Sequence, residues 1–261
     1  MLRPRITPCL LVKNGGLVKT VNFSNPKYVG DPINAVKIFN EKEVDEIIVV
    51  DIDASVKQSE PDYGLIKNLA AECRMPLCYG GGVKTIRQVE EIISVGVEKV
   101  AISSGALHSP ELIAKAAEVV GSQSIVVVMD VKKVKTPGLY EIFVYNGRQG
   151  TGVSPVEFAK RVENLGAGEL VINSIDRDGL MTGYDLDLAR KVRGATNLPI
   201  TVLGGAGSLS DIAALIEMFG TIGAAAGSLF VFKGRFRAVL INYPSRSEKD
   251  ALAPRVLQAI V

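Results

Sequence analysis

The chain has 261 residues but no tryptophan, one histidine (His108) and three cysteines (Cys9, Cys73 and Cys78). So few imidazoles and thiols, without ligand spacing, argue against a zinc site or a Ser-His-Asp triad. No metal and no cofactor is expected. An odd, unpaired set of cysteines reads as buried, reduced thiols of a cytoplasmic protein. No apolar run reaches the ~18 residues that a membrane span needs, and the opening MLRPRITPCL lacks the core and cleavage site of a signal peptide. With 30 Lys+Arg against 28 Asp+Glu, bulk charge calls for neither nucleic acid nor an anionic membrane. No G-x-G-x-x-G follows a strand, which counts against an open dinucleotide-binding sheet.

What is present is a regular alternation. Hydrophobic residues make up 47% of the chain and charged ones 22%, enough for a substantial core. Short β-branched runs fall at residues 6–12, 47–51, 77–79, 100–103, 125–130, 170–175, 200–203 and 224–227. Between them lie amphipathic stretches such as DPINAVKIFNEKEV, TIRQVEEIISVG, SPELIAKAAEVV, SPVEFAKRVENLG and SLSDIAALIEMFG, several opening at Ser, Thr or Asp and several closing at Gly. Parallel strands need helical crossovers, so these repeated units predict one (β/α)8 barrel domain over residues 1–261. An open doubly wound sheet is the competing architecture.

The chain also repeats internally. VDIDAS (Val50–Ser55) matches SIDRDG (Ser174–Gly179), placing Asp51 on Asp176 and Asp53 on Asp178. YGGGVKTI matches LGGAGSLS, and AISSGAL matches AAGSLFV, with Ser104 on Ser228. CLLVK over MDVK puts Leu11 on Asp130. A shift of roughly 120–125 residues describes two half-barrels rather than a solenoid. It also raises a question: one copy has a carboxylate where the other has an isobutyl group.

Barrels of this kind work at the C-terminal ends of their strands. Asp51, Asp130 and Asp176 are all expected at strand ends, where a carboxylate can serve as general acid or base. Capping of the next helix is the competing role, least suited to Asp130, which Val131 and Lys132 follow at once. Glycine turns follow the third and seventh strands (Gly81 and Gly82; Gly204 and Gly205), and small residues end the fourth and eighth (Ser103 and Ser104; Gly227 and Ser228). Backbone N–H groups and helix N-termini there could cradle a phosphate in each half, although ordinary tight turns have the same composition. The long connection from Lys13 to Pro32 is a candidate lid, with Lys19 reaching an anionic ligand or simply solvated. At the opposite end, Arg5, Glu46, Lys99 and Glu169 each precede a strand. By residue type alone such charges are structural.

Taken together, PCLLVK, DEIIVVDIDAS, GGGVKT, GSQSIVVVMD, GAGELVINSIDRDG, GYDLDL and GGAGSL resemble HisF, the cyclase subunit of imidazole glycerol phosphate synthase, to about residue 232. The resemblance implies a duplicated (β/α)8 barrel, a ligand with two phosphates, and a HisH-like glutaminase docked on the barrel floor. It implies that ammonia enters through a gate of four charges, here Arg5, Glu46, Lys99 and Glu169, which replaces the structural reading of those residues. It also implies two catalytic aspartates. Asp130 matches the second, and Leu11 stands at the first. Other departures are Asp53 where Thr is usual, Ser103-Ser104 for Asn-Thr, and Cys78-Tyr79 before the glycines. CLLVKNGGLVKT, NPKYVGDPINAV, MPLCYGGG and SLFVF...RAVLINYP further resemble a HisF-like branch linked to surface-polysaccharide genes. That branch is associated with converting a sugar acetamido group to acetamidino, with ammonia passed to a separate sugar amidotransferase.

Three readings follow. The chain is an ammonia-conducting synthase subunit of a glutamine amidotransferase serving sugar amidination. Alternatively it is a working cyclase of histidine biosynthesis, a lyase in which Asp130 and Asp176 compensate for Leu11. Alternatively it is a non-catalytic scaffold for a phosphorylated ligand. The tail PSRSEKDALAPRVLQAIV (residues ~245–261) fits an extra helix or a disordered end and is assigned no role.

Overall fold

The computed structural model describes residues 4–252. Eight parallel strands close a barrel: β1 (Arg5–Lys13), β2 (Ile47–Asp51), β3 (Leu77–Gly80), β4 (Lys99–Ile102), β5 (Ile125–Lys133), β6 (Glu169–Ser174), β7 (Ile200–Leu203) and β8 (Gly223–Ala226). Neighbours in sequence pair in parallel, and β8 returns to β1 with Arg5 opposite Gly223. The (β/α)8 barrel expected from the alternation is the observed fold.

Successive side chains in a strand point to opposite faces, so each strand feeds two cores. On β1, Leu10 and Val12 join the layer between barrel and helices, whereas Cys9 and Leu11 turn into the bore. On β2, Ile47 and Val49 face outward, and Ile48 and Val50 inward. Burial on both faces explains why the strands read as continuous apolar runs instead of alternating ones. The outer layer receives α1 (Pro32–Glu41), α2 (Tyr63–Glu72), α3 (Ile86–Ser94), α4 (Glu111–Val120), α5 (Pro155–Asn164), α6 (Leu186–Arg193) and α7 (Leu209–Phe219). Each fully buried side chain there, such as Phe39 or Leu69, contributes about 1.5–3 kcal/mol of hydrophobic stabilisation.

The helix starts are fixed at the mouth by side-chain caps. Asp31 accepts from the Asn34 N–H at 2.8 Å with Pro32 in the first turn, and Asp62 accepts from the Leu65 N–H at 3.0 Å. Thr85 with Gln88, and Ser208 with Asp211, close reciprocal capping boxes. These caps orient the loops that build the site.

Three connections depart from the expected pattern, one of them the hairpin in which β5 runs on to Lys133 and pairs antiparallel with a strand Tyr140–Val144. The stretch read as a long loop after β1 is a hairpin of strands Gly16–Val21 and Ser24–Gly30. Among the described residues the eighth unit has no helix as long as those of the other seven. After β8 come a single helical turn (Ser228–Val231), a short hairpin (Phe232–Lys233 with Ala238–Val239), an extended strap, and the helix Arg246–Leu252. The strap is pinned at the barrel floor, where the Tyr243 hydroxyl donates to the Ile6 carbonyl at 2.8 Å and accepts from the Asp45 N–H at 3.3 Å. The expected tail thus contains a helix as far as Leu252, and its remainder lies outside the described residues. No helix among the described residues is long and apolar enough to cross a membrane.

Candidate functional site

A cavity opens at the C-terminal ends of the strands and descends into the bore. Lining it are Leu11 on β1, Asp51 at the end of β2, Gly81 and Gly82 after β3, Ser103 and Ser104 after β4, and Asp130 on β5. The second half contributes Asn173 from β6, Asp178, Gly204 and Gly205 after β7, and Gly227 and Ser228 after β8. Both sets of expected cradle residues therefore reach one cavity. In each set a glycine turn meets the first turn of a short helix, Ser104–His108 in one and Ser228–Val231 in the other. Gly205 has φ +106°, and a Cβ on it would stand 2.1 Å from the Gly183 carbonyl, so close backbone approach requires glycine here.

Asp130 lines the cavity and is half-buried. The β5 strand does not end at it but runs on to Lys133, so its side chain projects from the strand interior into the mouth. The amide of Asn173 donates to its Oδ1 at 2.9 Å, and the Ser103 hydroxyl reaches its Oδ2 at 3.4 Å. Burial outweighs these two hydrogen bonds and pushes the carboxyl up to about 6. That value suits a group exchanging a proton near neutral pH. Leu11 contributes to the same cavity with no proton to move.

Asp51 is partly engaged locally: its Oδ1 accepts from the Asp53 and Ala54 N–H groups at 2.9 and 3.2 Å, and burial shifts it upward. Lys19 is buried on the hairpin after β1, and its Nζ donates to the Cys9 carbonyl. Burial lowers the ammonium's pKa, opposed by the nearby Cys9 and Asp178. A Cβ on Gly227 would lie 2.6 Å from that Nζ, so Lys19 borders the second cradle.

Asp176 is placed differently from the sequence expectation. The strand ends at Ser174, and Asp176 sits in the following turn, where its carboxylate accepts from the Lys133 N–H at 2.8 Å. Asp178, two residues on, enters the cavity instead. Its Oδ2 accepts from the Thr20 hydroxyl at 2.7 Å and the Phe23 N–H at 3.1 Å, which fastens the hairpin over the mouth. The reason is a two-residue offset in the repeat. Gly81 packs on Asp51 as Gly204 packs on Ser174, so Asp51 corresponds to Ser174 rather than Asp176.

Beneath the mouth, Cys9, Ile48, Cys78, Ala101, Val126, Val171 and Ala225 form an uncharged bore, topped by Leu11, Val50, Val128 and Leu203. Burial pushes the Cys9 thiol up to about 11, and Cys78 likewise rises, so both stay neutral. At the floor the four charges close a ring. Arg5 bridges Glu46 at 3.1 Å and Glu169 at 2.7 Å, and Lys99 bridges the same two at 2.8 Å each. Burial and the neighbouring Glu169 carboxylate raise Glu46. Burial also disfavours the Glu169 charge, but Arg5, Lys99 and the Thr201 hydroxyl outweigh it and hold Glu169 low.

Residues 5–237 match the family model described as histidine biosynthesis protein. A protein of Leptospira interrogans that provisionally bears the name imidazole glycerol phosphate synthase subunit HisF is 55% identical over 252 residues, 97% of this chain and 99% of its own. The chain belongs to the HisF family. Imidazole glycerol phosphate synthase subunit HisF of Lactococcus lactis subsp. cremoris is 43% identical over 230 residues, 88% of this chain and 89% of its own. A Pseudomonas aeruginosa relative provisionally named as subunit hisF2 is 50% identical over 250 residues, 96% and 99% of the two chains.

Within this HisF-family site, sequence reasoning missed Asn173 and Asp178. A signal for Asn173 existed, because a buried strand reading ELVINS has no other use for an amide at its fifth position.

Proposed function

We propose that this chain is the synthase-type subunit of a glutamine-dependent amidotransferase that conducts ammonia rather than closing an imidazole ring. In this reading a HisH-like glutaminase docks on the floor, ammonia enters through the Arg5–Glu46–Lys99–Glu169 ring, rises through the neutral bore and leaves at the mouth. A ligand with phosphate groups at two ends spans the two cradles. The ammonia serves acetamido-to-acetamidino conversion of a sugar in surface-polysaccharide (O-antigen) synthesis, through a separate sugar amidotransferase.

The observation that carries this reading is Leu11. It lines the cavity that holds Asp130 but offers no carboxylate. Loss of one of two acid/base groups costs ~10²–10⁴-fold in rate. The intact charge ring and neutral bore support conduction, since an apolar conduit passes NH₃ and rejects NH₄⁺. The relatives' names agree in kind: those at 50–56% identity carry provisional, in two cases numbered, subunit names, whereas those at 40–43% carry the plain one. The test is to give the purified chain ammonium salt and the histidine-pathway intermediate. Negligible cyclisation supports the proposal, and a rate matching a plain HisF overturns it.

A second reading, a working cyclase of histidine biosynthesis, is favoured by one observation: Asp178 reaches the cavity together with Lys19 and could share the proton traffic with Asp130. Growth of a histidine auxotroph lacking its own HisF, when complemented by this chain, would establish it.

A further inference from the structure

Three of the connections at the mouth carry charge of nearly one sign. Three hairpins rise around the mouth, within residues 16–30, 131–150 and 232–240. They carry the exposed cations Lys27, Lys132, Lys135, Arg148, Lys233 and Arg235, while Glu141 is the sole carboxylate in those three stretches. In a chain of net charge +2 the cations are concentrated in these hairpins, while the neighbouring loops and helix starts of the mouth carry carboxylates such as Asp53, Asp62 and Asp187.

The hairpins touch one another. The Lys27 Nζ lies 5.4 Å from the centre of the Phe232 ring, joining the first hairpin to the last. Gly147 sits under Phe23, with an added Cβ only 3.0 Å from that ring, joining the middle one to the first. Their tips also expose large apolar side chains: Phe236 is 91% accessible, Tyr28 67% and Leu139 56%. Aromatic and arginine side chains displayed together are the composition of a protein interface core, and a single sign of charge selects a partner of the other sign.

We propose that this crown of hairpins docks the acidic face of a second protein, the enzyme that consumes the ammonia. The inference rests on the delivery reading above. Ammonia leaving an open mouth at neutral pH becomes ammonium and is lost to the solvent, so an acceptor must cover the mouth while it is delivered. Hairpins that follow β1, β5 and β8, and offer apolar tips beside their cations, place that acceptor over the exit.

The test starts from the full chain carrying Phe236→p-benzoylphenylalanine, irradiated in its host cell. The cross-linked protein is identified, purified, and titrated against the wild-type chain and its variants by calorimetry. The expected partner is acidic, its affinity falls with added salt, and Lys233→Glu/Arg235→Glu weakens it by about tenfold or more. Glu41→Lys, at the other end of the barrel, leaves it unchanged. Circular dichroism of each variant checks folding. Binding is also measured with Lys99→Ala, which alters the gate without touching the crown, so docking is scored separately from delivery. Cross-links only to nucleic acid, to lipid or to a second copy of this chain overturn the proposal, as does an affinity indifferent to the crown charges.

Discussion

The side-chain amide of Asn173 donates to the Asp130 carboxylate at 2.9 Å, while its own Oδ1 is buried without a partner among the described residues. The hydrogen bond fixes the carboxylate toward the cavity and opposes the effect of burial. The bare Oδ1 is a buried acceptor packed near Gly204, a polar group whose need is unmet among the described residues.

Removing that amide should therefore move the acid. Asn173→Leu eliminates a bond that favours the ionised form, so Asp130 should titrate above its present value of about 6. Carboxyl-carbon NMR of labelled Asp130 reads the shift directly. An unmoved or lowered midpoint contradicts the role given to Asn173.

Asp130 should also cost stability as pH rises. Its folded pKa of about 6 lies above the unfolded value near 3.9, so the folded chain retains a proton that the unfolded chain has released. Stability contributed by this group is complete below about pH 4 and is lost as pH climbs through 6. Asp130→Asn should then stabilise the chain at pH 8 relative to pH 4, by on the order of 2 kcal/mol in urea unfolding.

Lys99→Ala would leave Glu46 and Glu169 facing each other with only Arg5 between them. Breaking a buried pair by removing one partner costs ~3–5 kcal/mol. Lys99→Ala/Glu46→Gln should recover much of that loss. Glutamine-dependent turnover should fall in the single variant while turnover on added ammonium salt is retained.

Leu11→Asp restores the carboxylate that the resemblance expects. Under ammonia delivery it should not raise activity in the physiological pathway, and it should place a second ionisable group beside Asp130. Under the cyclase reading, formation of the imidazole product should rise by ~10²–10⁴-fold. A product assay on the two chains separates the readings.

Gly205→Ala puts a Cβ against the Gly183 carbonyl in a backbone region that side chains avoid. It should cost on the order of 1–3 kcal/mol in strain and weaken inorganic phosphate binding. Gly96→Ala, with φ +100° and nothing nearer than 3.8 Å, controls for the conformational part.

Strand positions were legible because both faces of a barrel strand are apolar, and each run was located to within a few residues. The cradles were legible through glycine. Asp176 was misplaced for Asp178 because a repeat aligned without gaps carries no depth information, and the two-residue offset appears only when Gly81 and Gly204 are compared in space. The strap of the eighth unit was not legible: RAVLINYP is apolar enough for either a helix or a strap, and Tyr243 bonding to Ile6 decides between them. Asn173 was passed over because one amide within an apolar strand reads as neutral.

The strap of the eighth unit also sets where the cylinder is weakest. Among the described residues seven walls are a helix thick, and the seam where first and last strands meet is backed by an extended thread and the short helix Arg246–Leu252, which Lys249 ties to Asp45 at 2.7 Å. Amide hydrogens of β8 and of the first residues of β1 should exchange before those of β4 and β5. Breathing of the molecule then begins beside Arg5, so the floor ring sits on the part of the wall that gives way first.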